Sequence, residues 1–126
     1  MAHSERGAAV AEFVLVMMLL LPLVLGIAQV GLVLHVRNTA TAAASAGARA
    51  AAPLEATSTD GANRTRAIIR QSLDDRYADD VTARYTVAGG VDTAEVVVRA
   101  QVPALGLFGP AVGVTVRGHA IRELEP

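Results

Sequence analysis

The chain has 126 residues and a formal net charge of −1; 52% of it is hydrophobic and only 3% aromatic. That length allows one small domain plus one long apolar element and excludes two independent cores. The absence of cysteine removes disulfides, thiolate metal sites and thiol nucleophiles. Eleven Arg spread among twelve acids, with no Lys, give no clustered basic face for nucleic acid.

From Phe13 to Leu34 the chain runs 22 residues without a charge, and Gln29 is the strongly polar exception. As a helix this run covers roughly 33 Å, enough to cross the hydrocarbon layer of a bilayer. It lacks the polar face that would recur every third or fourth residue on a soluble helix. Pro22 removes one ladder amide and Gly26 follows a turn later, so a kink is expected near mid-span. Beyond Leu34, "HVRNTATAAASAGARAAAP" keeps strong helix formers until Pro53, which predicts one helix over residues 8–52. Ala43, Gly47 and Ala51 recur at four-residue spacing and offer a flat face for close helix packing. A secretory signal cut near Ala46 is the competing fate, but the apolar run is longer than the usual h-region of about 7–15 residues.

Pro53 to Gly61 reads as a polar hinge, and a small module follows over residues 62–126. Asp60 is a candidate N-cap for a helix from about Ala62 to Tyr77, with Ile69, Leu73 and Tyr77 on one face. Val81–Val87 and Thr93–Val102 alternate apolar and polar residues around a turn centred on Gly89-Gly90, and a third strand is expected over Val112–Ile121. The expected class is therefore α+β: a long N-terminal helix, one further helix and a three-stranded antiparallel sheet.

Searching for chemistry yields little. His3, His35 and His119 are far apart and make no HExxH or paired-ligand spacing. No serine lies in GxSxG, and neither GxGxxG nor a P-loop occurs. Asp74 to Asp80, "DDRYADD", lacks the glycine and final glutamate of a calcium loop and reads as a solvated surface. Asn63-Arg64-Thr65 fits a glycosylation sequon, a pattern common by chance. Leu105 to Pro110, "LGLFGP", is expected to fold back on the core; the alternative is a protruding loop against a partner or a lipid surface. No catalytic residue, cofactor, metal or small-molecule substrate is expected, and the protein is read as non-enzymatic.

The informative acid is Glu12. It follows a polar leader "MAHSER", Gly7 and four small residues, and it precedes Phe13 and the span, standing fifth after the glycine. This arrangement resembles the N-terminus of type IV pilins and pseudopilins. The longer stretch from Glu5 to Ala52, with Arg6-Gly7, Glu12-Phe13, a Leu/Pro-rich centre, Gly26, the basic "HVRN" exit and the "GARAAA" tail, resembles the TadE-like pseudopilin family of tight-adherence pilus systems. The resemblance implies that residues 1–7 are a leader cut by a prepilin-type peptidase between Gly7 and Ala8. It further implies that Glu12 pairs with the new amine of a neighbouring subunit, and that the partners are the membrane, other pilin-like subunits and pilus assembly proteins. Charges flanking the span are nearly balanced, Arg6 against Arg37 and Arg49, so the resemblance rather than the positive-inside rule puts the N-terminus in the bacterial cytoplasm and the module outside. The alternative is a membrane-tethered binding module with neither leader cleavage nor polymerisation.

Overall fold

The computed structural model describes residues 2–105 and 111–124, with side chains from Ser4 onward. Helix α1 spans Ala2–Ala51, 50 residues or roughly 75 Å, and is continuous through Pro22. Helix α2 (Ser58–Ser72), a 3-10 turn (Asp75–Ala78) and strands β1 (Asp80–Ala88), β2 (Val91–Val102) and β3 (Val112–Ile121) follow. The strands form one antiparallel sheet in the order β1-β2-β3, as the alternation patterns predict.

One face of the sheet and one face of α2 close over the second half of α1. Val36, Ala40, Ala43, Ala44 and Ala48 of α1 are buried together with Ile69 of α2 and Val81, Val96, Val98, Val114 and Val116 of the sheet. Small side chains on α1 let its neighbours approach its backbone closely. Ala43, Gly47 and Ala51 are all buried and face α2. A Cβ on Gly47 would run into Thr65, and one on Gly61 would stand 2.8 Å from the Cβ of Ala51. Thr65 is fully buried there, its hydroxyl donating to the Gly61 carbonyl at 2.9 Å. The threonine of the sequon is thus a packing residue. On the other side Gly118 of β3 lies directly against the α1 backbone at Ala44 and Ser45.

The far end of α1 is tied down through its last carbonyls, which the helix itself cannot satisfy. The Tyr85 hydroxyl lies 2.9 Å from the Ala51 carbonyl and 3.0 Å from that of Ala56. The Glu123 amide donates to the Ala52 carbonyl at 2.9 Å, while the Arg122 guanidinium stacks 4.1 Å over the Tyr85 ring.

Two sequence expectations need correction. Helix α2 begins at Ser58, not about Ala62, and the hinge shrinks from residues 53–61 to 53–57. Thr57 is the N-cap, and Asp60 is the third helical residue of a capping box: its amide donates to the Thr57 hydroxyl at 3.3 Å and its carboxylate accepts from the Thr57 amide at 2.8 Å. The helix also stops at Ser72 instead of reaching Tyr77. Leu73 is extended, and the Asp74 carboxylate caps the separate 3-10 turn by accepting from the Arg76 amide at 3.1 Å. Tyr77 is still buried, but from that turn.

Candidate functional site

The two halves of α1 live in different surroundings. From Ser4 to Ala28 no residue of the helix is buried, whereas from Leu32 onward it enters the core. The exposed half is almost wholly apolar: an 18-residue window reaches a mean hydropathy of 2.6 with none of it covered, so the helix is long and apolar enough to cross a membrane. Phe13 and the leucines around it point outward. Pro22 and Gly26, with Leu23, Ile27 and Val30, line a shallow apolar notch on this surface. Nothing approaches Gly7 or Gly26 within 4 Å.

Glu12 stands on this bare surface. It is exposed, and it has no hydrogen-bond or ion-pair partner among the described residues. Its nearest covalent context, Gly7 and Ala8, is likewise helical and exposed. A carboxylate in such surroundings is satisfied in water and costly in lipid unless it is neutralised or paired.

Residues 7–49 match the family model described as TadE-like protein. This segment is TadE-like. The match covers the exposed half of α1, including Glu12, and the buried half that carries Ala43 and Gly47; α2 and the sheet lie outside it. No curated protein and no solved structure matches the chain.

A second polar cluster, which the sequence reading did not find, lies on the outer face of the sheet. The register pairs Arg84 of β1 with Glu95 of β2, and Glu95 with His119 of β3. Glu95 is only 6% exposed. Its Oε1 accepts from Arg84, with Nη2 at 2.7 Å and Nε at 2.8 Å, and has Arg117 Nη1 at 3.6 Å; its Oε2 lies 2.8 Å from His119 Nε2. The hydrogen bond to His119, followed by those and the charges of the arginines, outweighs burial and holds this carboxyl below the ordinary glutamate range. Beside it Thr82, Arg84, Val97, Arg99 and Arg117 line a shallow cleft of about 200 Å³. Among the described residues no group of three His, Asp or Glu stands close enough to hold a metal ion.

The cluster fastens the three strands from outside, opposite the apolar core. Because the folded-state pKa of Glu95 is depressed, its contribution to stability is present above the unfolded value of about 4.3 and is lost as pH falls through the folded value. Glu95→Gln is expected to cost about 1–2 kcal/mol near neutral pH, since its cationic partners are half exposed and screened. Thermal unfolding at pH 7 and pH 3 checks this: the variant and the parent should differ at the higher pH and converge at the lower.

Proposed function

We propose that the chain is a non-enzymatic, membrane-anchored subunit of pseudopilin type, acting in assembly of a Tad-type pilus or a related secretion system. The observation that carries this reading is Glu12, an acid with no partner among the described residues, on an otherwise apolar, exposed stretch of helix inside the TadE-like segment. In this reading a prepilin-type peptidase cuts between Gly7 and Ala8 on the cytoplasmic side. Residues 7–10, around the cleavage point, are all exposed, so local unwinding there for cleavage uncovers no core. The new amine of Ala8 in one subunit then pairs with Glu12 of a neighbour, neutralising both charges in a medium that tolerates neither alone. The module outside the membrane offers its sheet face and helix surfaces to assembly partners.

The test is the N-terminal residue and intact mass of the protein from the membranes of its host. A start at Ala8 is expected. A chain beginning at Met1 or Ala2 would instead favour a tethered module without processing, and a start near Gly47 would mean a secreted domain.

A further inference from the structure

The module reaches further down α1 than the uncharged run suggests. Leu32 and Val33, inside that run, already pack against the core. The connection leaving β2 descends another turn: the backbone amide of Leu105 donates to the Gln29 side-chain oxygen at 2.8 Å across 76 residues of sequence. Leu105 is nevertheless 43% exposed, and Val112, which opens β3 beside the end of β2, is 38% exposed. Between Arg99 and Arg117 the sequence carries no charge at all.

Irregular backbone exposed to lipid does not occur within the hydrocarbon of a bilayer, because its amides and carbonyls would go unsatisfied. If α1 spans the membrane, the hydrocarbon must therefore end at or just below Gln29. Counting down from there, residues 8–28 make a helix of roughly 31 Å, matching the hydrocarbon thickness of about 30 Å. We propose that the lower edge of the module, Pro103–Leu105 with Leu105 on Gln29 and Val112 opposite Val102, rests in the outer interfacial layer with Leu105 against lipid, so that the spanning stretch is 8–28 rather than 13–34. Two consequences follow. Glu12 moves from the border of the span to a full turn inside it, which strengthens the need for a partner charge. The module is held against the bilayer at two places, the helix and the Leu105 edge, and so presents a fixed height and tilt to neighbouring subunits.

The surface is continuous with the exposed apolar helix, and this continuity argues for lipid as the occupant. The Gln29 bond adds to the case, because it satisfies in advance an amide that the interface would otherwise leave short of water. The inference rests on the membrane-anchored reading, and the test separates the two.

The chain contains no tryptophan, so single Trp variants of the full chain in phosphatidylcholine vesicles report their own surroundings. Leu105→Trp, Leu19→Trp at mid-span and Val91→Trp on the distal hairpin are all at exposed positions. Emission of Leu105→Trp is expected to be blue-shifted and mostly lost in vesicles of lipid brominated near the headgroup end of the chains, while Val91→Trp keeps its emission. If Leu105→Trp is quenched by aqueous iodide and not by brominated lipid, or is shielded from both by a protein neighbour, the proposal is overturned. Quenching of Leu19→Trp by deeply brominated lipid in the same vesicles would then show that anchoring survives. Its failure would overturn the anchor and the interfacial contact together.

Discussion

Glu12→Ala is expected to leave the protein in the membrane and to weaken its association with neighbouring subunits severely. Insertion should not suffer, because the substitution removes the one charge from a span that is otherwise apolar. Association suffers because the amine of Ala8 in the neighbouring subunit is then left unpaired in a low-dielectric medium. Breaking a buried ion pair in this way costs about 3–5 kcal/mol, and at about 1.4 kcal/mol per decade association weakens by roughly 100-fold to more than 1,000-fold. Membrane fractionation reads the first effect, and co-purification of differently tagged copies or pilus components reads the second. Glu55→Ala, at an exposed site in the 53–57 connection, is the matched control and should change neither. Normal co-purification of the Glu12→Ala protein would remove the pairing from the account.

The largest effect on stability is expected at Gly118. An added Cβ there would meet the backbone of α1 at Ala44 and Ser45, which, unlike a flexible side chain, cannot swing aside. The sheet would have to lift from a helix face made of small residues such as Ala40, Ala44 and Ala48, losing contacts along its length. Gly118→Ala is therefore expected to cost about 3 kcal/mol, lowering the midpoint of thermal unfolding by roughly 10–20 °C for a module of this size. Gly113→Ala on the same strand meets nothing within 4 Å and should be near neutral. Circular dichroism melts in detergent compare the two, and equal melts would show that the sheet does not need this close approach.

What could be read from the sequence follows from the range of the interactions involved. Long helices and alternating strands are local patterns, so α1 and all three strands were legible. The start of α2 was misplaced because Thr57 and Asp60 are both competent N-caps; the choice falls to Thr57, which makes Gly61 helical and seats it on Gly47 and Ala51. The pattern Ile69, Leu73, Tyr77 was apolar in the right positions, but Asp74 closes a separate turn between them, and periodicity alone does not register that break.

The Glu95 cluster is the more instructive omission. Alternation assigns residues to faces but says nothing of which residues stand opposite one another. The turn carries that information: Gly89 and Gly90 have φ of 59° and 81°, a two-residue connection that forces Ala88 against Val91 and hence Arg84 against Glu95. The register follows only once the turn is known to be these two residues alone, with Ala88 and Val91 already paired. The downward reach of the β2–β3 connection to Gln29 is a contact between residues 76 positions apart, which no local pattern encodes. Leu107 and Phe108, expected to fold back on the core, lie outside the described residues. The role proposed for Glu12 is different in kind, since among the described residues of one chain it has no partner and the proposed one lies in a second copy.

That property gives the most direct measurement. The chain has no lysine, so after cleavage the amine of Ala8 is the one primary amine it carries. A hydrophobic carbodiimide applied to host membranes should join that amine to a carboxylate in direct contact, and the product can be read by mass and by peptide sequencing. The account predicts a species of twice the subunit mass in which Ala8 of one copy is amide-linked to Glu12 of another, absent from Glu12→Ala membranes. Processed protein that yields no such species, or that links Ala8 only within its own chain, would contradict it.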